Sequence, residues 1–485
     1  MSEPFPCAPG PFAPTFESLR QYTCPGWFRD AKFGIWAHWG PQCLPMTGDW
    51  YARHMYVQGS AQYEHHCRTY GHPSEFGFKD IIELWRGERF DPAALIALYA
   101  ECGARYFVSM GVHHDNFDLW HSRHHRWNAV EHGPRRDIVG AWRAAATAAG
   151  LRFGVSEHLE RSLSWFSTNK GCDAYGPRAG VPYDGNDARY QDLYFPPHGE
   201  TDLSYPRQPT PEWVAQWYRR IQDLIDSYEP DLLYTDGGIP FGEAGRRLLA
   251  HYYNANIARH GGRLEAVYNI KDMREHDRQH GRWHGDFEPG IAVLDVERGV
   301  IDGIAPEPWQ TDTCIGGWFY DLRRTYKTPN EVITMLADIV SKNGNLLLNI
   351  TQRPDGTLDE MADWTVRQIG AWLKVNGEAI YGTRPWRSFG EGPTQFQAGL
   401  FAERDKRQFT AADFRFTQRG DQFYAIALGW PEESWLVTSL AGLAVNEVAV
   451  LGSPEPVAWR QTPEGLRVAR PARKPCDEAW AIRIG

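Results

Sequence analysis

Polar side chains follow the ends of six apolar segments in the first 300 residues of the chain. Each segment has the length of a β-strand, and histidines, acids and a lysine come at or just beyond its end. A single buried histidine is more often a hydrogen-bonded core residue than a functional one, but six converging segments are hard to explain by packing. The residues concerned are Trp36, His38, His113, His114, Glu157, His158, Asp236, Lys271 and Glu297.

This set combines two candidate carboxylates with hydrogen-bonding and aromatic side chains, which is what hydrolysis of a glycosidic bond with retention requires. One carboxylate attacks the anomeric carbon, and the other protonates the leaving oxygen and then deprotonates water. The attacking group must be ionised, so hydrogen-bond donors should surround it. The acid needs a raised pKa, so its surroundings should be drier or close to the other charge.

A metal site is the rival interpretation of His38, His113, His114 and His158. Adjacent residues of a strand point to opposite faces, so His113 and His114 should not chelate one ion together. The sequence also contains no HExxH, phosphate-loop, Rossmann-glycine or GxSxG pattern. We therefore expect neither a metal nor another cofactor.

Eight strand-length apolar segments alternate with helical patterns over roughly 330 residues, which predicts a (β/α)8 barrel whose site lies at the carboxyl ends of the strands. An open, doubly wound sheet is the alternative. Residues 40–80 and 160–210 are long enough to be loops around the site. The segments are 33–39, 105–112, 151–159, 231–237, 264–270, 290–297, 309–317 and 345–350.

The sequence changes in character after about residue 375. Short strand patterns with turn signals such as Arg419-Gly420-Asp421 follow one another there, and no long helical pattern intervenes. This predicts a barrel domain over residues 1–375 and a β-sandwich domain over residues 376–485.

The formal net charge is -10 and the sequence pI is about 6.0, with no basic stripe, so a nucleic acid is not an expected partner. No segment has the roughly 18 apolar residues of a membrane span. The N-terminus lacks a secretory signal pattern and the eight cysteines form no CxxC pair, so we expect a cytoplasmic location. The oligomeric state is open, and a homo-oligomer is compatible with the sequence.

Several sequence blocks, in this order, resemble the α-L-fucosidases of glycoside hydrolase family 29. The resemblance implies a barrel followed by a β-sandwich, a retaining mechanism without a cofactor, and a fucosylated oligosaccharide or glycoside as substrate. The blocks are WFRDAKFGIWAHWG (27–40), GDWYARHMY (48–56), HHDNFDLW (113–120), PDLLYTDG (230–237), VSKNGNLLLNI (340–350) and WLKVNGEAIYGT (372–383).

The resemblance also implies roles for individual residues. Asp236 matches the family nucleophile, and Lys271 stands where many members have arginine. Glu157 and His158 match only loosely, because many members have a tyrosine-rich segment there, and Tyr234 replaces a common tryptophan. The remaining residues expected to bind the sugar are Trp36, His38, Asp49, Trp50, His113, His114 and Trp318.

The general acid/base is less well defined by the resemblance, and Glu288, Glu297 and Glu307 are candidates. Glu297 ends an apolar strand pattern, which places it at the rim of the barrel. Glu288 and Glu307 each precede a proline and are typical of loops. We therefore favour Glu297, with Glu288 as the second choice.

Fucose is a 6-deoxy sugar, so its pocket should have an apolar wall for the methyl group and polar groups for three hydroxyls. Phe33, Trp36 and either Trp318 or Phe319 are candidates for the wall. A retaining hydrolase for another sugar, such as galactose, is one alternative. An inactive carbohydrate-binding protein on the same scaffold is another, although both carboxylates are present.

Overall fold

The structure is a computed structural model that describes residues 5–403 and 408–485. Eight parallel strands form a closed barrel, in which each strand pairs with the next and β8 pairs with β1. The predicted barrel is confirmed, and the alternative of an open sheet is wrong. The strands are β1 (Phe33–Ala37), β2 (Tyr106–Val112), β3 (Arg152–Glu157), β4 (Leu232–Thr235), β5 (Val267–Lys271), β6 (Val293–Asp295), β7 (Trp309–Cys314) and β8 (Gly344–Asn349).

Helices connect and surround these strands. The longest is α10, where the Thr210 hydroxyl accepts a hydrogen bond from Trp213 N (3.2 Å) and Pro211 occupies the first turn. The helices are α1 (Phe16–Leu19), α2 (Gly26–Ala31), α3 (Tyr51–His54), α4 (Ala61–Thr69), α5 (Phe78–Leu84), α6 (Pro92–Glu101), α7 (Ile138–Ala148), α8 (Ser162–Trp165), α9 (Gln191–Tyr194), α10 (Pro211–Tyr228), α11 (Glu243–Arg259), α12 (Arg274–His280), α13 (Pro329–Ser341) and α14 (Glu360–Asn376).

Alternate residues of each strand lie on opposite sides of the barrel wall. In β4, Leu232 and Tyr234 belong to the cluster that fills the barrel, whereas Leu233 belongs to the layer beneath the helices. Trp36 and Ile35 of β1 divide in the same way. Both sides are buried, which is why the strands are almost continuously apolar in sequence.

Two antiparallel sheets follow the barrel and share one apolar cluster, which confirms the predicted sandwich. The first has the order β13-β16-β11-β10-β9 and the second β12-β15-β14. The proposed domain boundary at residues 375 and 376 falls at the end of α14 and stays a prediction. The strands are β9 (Arg384–Glu391), β10 (Phe414–Arg419), β11 (Gln422–Ala427), β12 (Ser434–Val437), β13 (Val448–Val450), β14 (Trp459–Thr462), β15 (Gly465–Ala469) and β16 (Trp480–Ile484). Among the described residues, no helix combines the length and apolar character that crossing a membrane requires.

A buried ion pair joins the barrel to the sandwich. Arg415 of β10 contacts Asp338 of α13 (2.5 Å), and both side chains are fully buried. Lys342 also pairs with Asp338 (2.9 Å). Removing Arg415 would leave Asp338 with Lys342 as its remaining cation and would break the hydrogen bonds from Arg415 to Phe414 O (2.9 Å) and Thr394 O (3.3 Å) at this buried contact.

We predict that Arg415→Ala lowers the free energy of unfolding by about 3–5 kcal/mol, because Asp338 loses its closest cation. Chemical denaturation monitored by tryptophan fluorescence measures this change. The matched control is Arg367→Ala, which breaks an exposed pair with Asp363 on α14 and should cost about 1 kcal/mol or less. Equal effects of the two substitutions would contradict the prediction.

Candidate active site

A cavity of about 220 Å³ opens at the carboxyl ends of the barrel strands. Twelve of the sequence-predicted site residues line it, whereas Glu157, the wall candidate Phe33 and the alternative acids Glu288 and Glu307 do not. The twelve residues are Trp36, His38, Asp49, Trp50, His113, His114, His158, Tyr234, Asp236, Lys271, Glu297 and Trp318.

The Asp236 carboxylate lies between two cations. Lys271 Nζ donates to Oδ1 (2.6 Å), and Arg161 Nη2 donates both to Oδ2 (2.7 Å) and to the backbone oxygen of Asp236 (2.7 Å). Burial alone would raise the pKa of Asp236, but Arg161 and Lys271 outweigh burial and hold the pKa well below its usual range. Asp236 is therefore ionised and held in one orientation, as an attacking carboxylate must be.

Lys271 also donates a hydrogen bond to Glu297 Oε2, so one ammonium group bridges the two carboxyl groups. Two hydrogen bonds that end on the same nitrogen place the nearest oxygens of Asp236 and Glu297 within roughly 6 Å of each other. Retaining glycosidases hold their carboxyl groups about 5–5.5 Å apart, whereas inverting ones hold them about 6.5–9.5 Å apart. This limit is shorter than the inverting separation and includes the retaining one.

The two acids differ in protonation. Burial, opposed by Lys271 but assisted by the neighbouring charges of Asp312 and Asp236, raises the pKa of Glu297 to about 7. Glu297 can consequently donate a proton near neutral pH while Asp236 stays ionised.

The histidines of the wall offer a mixture of donors and acceptors. The Gln42 amide oxygen accepts from Ala52 N (3.3 Å), so its nitrogen donates to His113 Nδ1 (2.9 Å), and the proton of neutral His113 is on Nε2. His114 Nδ1 donates to the His158 backbone oxygen (2.6 Å). Burial and Arg161 lower the pKa of His114 to about 3, so its Nε2 is a hydrogen-bond acceptor.

Among the cavity-lining residues that the sequence predicted, four buried nitrogen atoms have no hydrogen-bond partner in the described part of the chain. They are Nδ1 and Nε2 of His38, Nε2 of His158 and Nε1 of Trp36. Buried polar atoms are nearly always hydrogen-bonded in folded proteins, so a cluster of this kind points to a polar ligand. Beside them, Trp36 and Trp318 pack edge to face at 5.4 Å between ring centroids and form an apolar wall.

Two of the sequence interpretations need correction. Glu157 is fully buried outside the cavity, where it accepts hydrogen bonds from Thr235 Oγ1 (2.9 Å) and Leu159 N (3.1 Å). Strand alternation explains its position, because Glu157 is in register with Thr235, which points away from the barrel axis. Phe33 starts β1, far from its carboxyl end, and does not line the cavity.

The geometric argument against a metal was also wrong in one respect. Strand β2 ends at Val112, so alternation does not apply to His113 and His114, and both line the cavity. Ligand atoms of His113, His114 and His158 lie within 4.8 Å of one another. Lys271 and Arg161, however, already pair with Asp236 beside this group, and their charges disfavour a cation there.

Sequence reasoning missed Arg161 and most of the outer rim. Arg161 lies four residues beyond the end of β3, in the long connection that was expected to border the site. A charged residue directly after GVSEHLE is the only signal of its role. Phe319, the alternative wall candidate, also lines the cavity, and the other lining residues that the sequence did not identify are Leu203, Met273, His276, Arg282, His284, Asp312 and Phe401.

The rival candidates for the general acid lie elsewhere. Glu288 is near the surface, where it pairs with Arg20 (2.6 Å), and Glu307 is exposed. Neither lines the cavity. Of the three glutamates, only Glu297 shares a hydrogen-bond partner with Asp236.

Comparisons with known proteins agree over nearly the whole chain. A family model described as alpha-L-fucosidase matches residues 5–378, and one described as the alpha-L-fucosidase C-terminal domain matches residues 407–485. Human plasma alpha-L-fucosidase is 28% identical over 497 residues, covering 98% of this chain and 92% of that protein.

Solved structures are similar as well. Thermotoga maritima alpha-fucosidase in complex with fucose has a TM-score of 0.74 at 26% identity, covering 98% of this chain and 100% of that one. The same enzyme in complex with a mechanism based inhibitor has a TM-score of 0.75 at 26% identity, with coverages of 98% and 99%.

We predict that the purified protein, incubated with Zn²⁺ and then desalted, retains well under one zinc per chain, because Arg161 and Lys271 repel a dication. Inductively coupled plasma mass spectrometry measures the zinc content. One zinc per chain that is lost in His113→Ala would contradict this prediction. His284→Ala is the control variant, since His276, Asp277 and His284 form a second group of donor atoms within 4.8 Å of one another.

Proposed function

The chain belongs to the alpha-L-fucosidase family of glycoside hydrolases, and we propose that it removes terminal α-L-fucosyl residues from fucosylated glycans with retention of configuration. Asp236 is the nucleophile and Glu297 the general acid/base. The observation that supports the proposal is the Lys271 bridge, whose two hydrogen bonds keep the carboxyl groups of Asp236 and Glu297 closer together than an inverting mechanism needs.

In the first step, Asp236 attacks the anomeric carbon and the bond from that carbon to the glycosidic oxygen breaks. Glu297 gives its proton to the departing oxygen, so the leaving group departs as a neutral alcohol. The product is a fucosyl ester of Asp236 with the opposite anomeric configuration. Arg161 holds both the backbone and the side chain of Asp236 during the attack.

In the second step, the ionised Glu297 takes a proton from water, and the resulting oxygen nucleophile attacks the anomeric carbon. The ester bond breaks, Asp236 leaves as a carboxylate and Glu297 is protonated again. Two inversions give net retention. Lys271 contacts both carboxyl groups, so each can gain or lose negative charge without losing its counterion.

The cavity wall favours fucose over galactose. Trp36, Trp318 and Phe319 provide apolar surface suited to the C6 methyl group, and the His38 ring packs against both Trp318 and Phe319. L-galactose differs from L-fucose only by a hydroxyl on C6, and this hydroxyl would lose its hydrogen bonds to water against this surface. The unpartnered nitrogens of His38, His158 and Trp36 suit the ring hydroxyls that the two sugars share.

The experiment that tests the proposed function is hydrolysis of an aryl α-L-fucoside followed by proton NMR. We expect α-L-fucose to appear before the anomers equilibrate, and little hydrolysis of the corresponding galactoside. Initial release of β-L-fucose would show inversion and contradict the mechanism. Absence of hydrolysis with intact folding would favour a binding protein.

We predict that Asp236→Ala lowers kcat on an aryl α-L-fucoside by at least three orders of magnitude, because no group can form the ester intermediate. Any product formed with azide should be β-L-fucosyl azide, since azide attacks in place of the carboxylate. Asp272→Ala is the matched control, because Asp272 pairs with Arg274 outside the cavity. Turnover near the wild-type rate in Asp236→Ala would refute the assignment.

We predict that wild-type kcat/KM falls as pH rises through about 7, because Glu297 then loses the proton that it must donate. Glu297→Ala should remove this dependence and lose far more activity on glycans than on an activated aryl fucoside. Azide should accelerate its turnover and give α-L-fucosyl azide. The control is Glu288→Ala, which should behave like the wild type. If Glu288→Ala instead shows the lost pH dependence, the selective loss on glycans and the acceleration by azide, Glu297 is not the acid/base.

A further inference from the structure

The connection between β9 and β10 spans residues 392–413, of which 392–403 and 408–413 are described. A connection of this length is uncommon inside a compact fold, and it usually has a function when it is ordered. Residues 398–403, here called the strap, leave the sandwich and lie against the segment that follows β6. This segment contains Glu297.

Three backbone hydrogen bonds attach the strap to that segment. Phe401 N donates to Glu297 O, Glu403 N to Arg298 O and Gly399 N to Val300 O, each at 2.9 Å. The contact is tight at Gly299, where a Cβ atom would lie 1.8 Å from the Gly399 carbonyl oxygen. The strap therefore supports the backbone of Glu297 directly.

The Glu403 side chain anchors the end of the strap to the barrel. Its Oε2 accepts a hydrogen bond from Thr313 Oγ1 (2.8 Å), and its Oε1 pairs with Lys327 Nζ (3.1 Å). Arg298 lies nearby, with Nε 3.7 Å from Oε2. Arg298 belongs to the segment after β6, Thr313 to β7 and Lys327 to the loop that precedes α13, so Glu403 joins the strap to three parts of the barrel domain.

Two residues at this contact have backbone conformations that side chains disfavour. Phe401 has a φ of 56° and Arg298 a φ of 47°, both in the left-handed region. Non-glycine residues persist there only where their surroundings impose the conformation, and such residues cluster at functional sites. At Phe401 the conformation accompanies a side chain that lines the active-site cavity.

The Phe401 ring lies on the outer part of the cavity, 6.1 Å from the His276 ring and in an edge-to-face arrangement with it. The histidines and tryptophans that suit the sugar hydroxyls belong to the inner wall, at the strand ends. A general acid must contact the oxygen that joins the two parts of the substrate. Phe401 is joined to Glu297 by a backbone hydrogen bond and its ring lines the cavity outside the inner wall, so this ring is on the side where the leaving group departs.

We propose that the strap forms the leaving-group side of the active site, where Phe401 packs on the pyranose ring that carries the fucosyl unit. The C–H face of a pyranose is apolar and matches the flat surface of an aromatic side chain. This inference rests on the proposed function, because it assumes that Glu297 protonates the leaving oxygen. It makes the segment before β10 a determinant of substrate choice.

The test compares two substrates that differ only in the leaving group. An α-L-fucosyl-galactose disaccharide carries a pyranose, whereas α-L-fucosyl fluoride carries none and needs little acid assistance. In Phe401→Ala we expect kcat/KM to fall at least tenfold for the disaccharide and at most threefold for the fluoride. In this variant, kcat/KM for the disaccharide should still fall with a midpoint near pH 7, because Glu297 is unchanged.

Gly299→Ala is a second variant, which displaces the strap without altering Phe401, and it should show the same selective loss. Phe396→Ala controls for changes elsewhere in the connection, since Phe396 packs on Phe409 and does not line the active-site cavity. Gly199→Ala is the matched control for Gly299→Ala. It is the same glycine-to-alanine change at a position where the added Cβ meets no atom within 4 Å, so it should leave both activities unchanged.

A parallel fall for both substrates in Phe401→Ala, or no fall for either, would overturn the inference while leaving the proposed function intact, provided that the wild type cleaves both. If the wild type releases fucose from neither substrate, the proposed function fails and the inference fails with it. Thermal unfolding of each variant, with a midpoint within about two degrees of the wild type, verifies that folding is preserved.

Discussion

The hydrogen bonds from one buried ammonium group to two carboxyl groups constrain the whole site. Lys271 reaches Asp236 and Glu297 at once, and its side chain is only 3% exposed. A buried charge is tolerated only when it is paired and hydrogen-bonded, so the three side chains must stay together. The pKa values of the two nearby acids differ because Lys271 contacts both carboxyl groups, whereas Arg161 adds a second cation beside Asp236 alone.

The barrel supplies these three side chains through a simple regularity. Alternate residues of a strand face the axis, so positions two apart in sequence lie on the same side. Asp236 continues the inward series of Leu232 and Tyr234 in β4, and Lys271 ends β5. Parallel strands all end at the same rim, so residues that are far apart in sequence meet there.

The connections around the barrel complete the site. Arg161 comes from the connection after β3, and Phe401 comes from the connection between two strands of the sandwich. β9 and β10, which flank that connection, pack on α13, and the buried pair of Arg415 and Asp338 holds β10 there. Through Phe401, the connection between β9 and β10 of the sandwich also lines the cavity of the barrel.

Strand periodicity and the order of the motifs determined the barrel, the sandwich and most of the inner wall of the cavity from the sequence alone. The position of Glu157 outside the site could also be predicted from strand alternation, because His158 and not Glu157 continues the inward series of β3. Only the tertiary structure brought Arg161 and Phe401 to the site, since loop segments have no periodicity that predicts where a side chain points. The separation of Asp236 from Glu297, and the difference in their pKa, also required the folded chain. Both depend on burial and on charges that come from different strands, and those neighbours exist only after the barrel has closed.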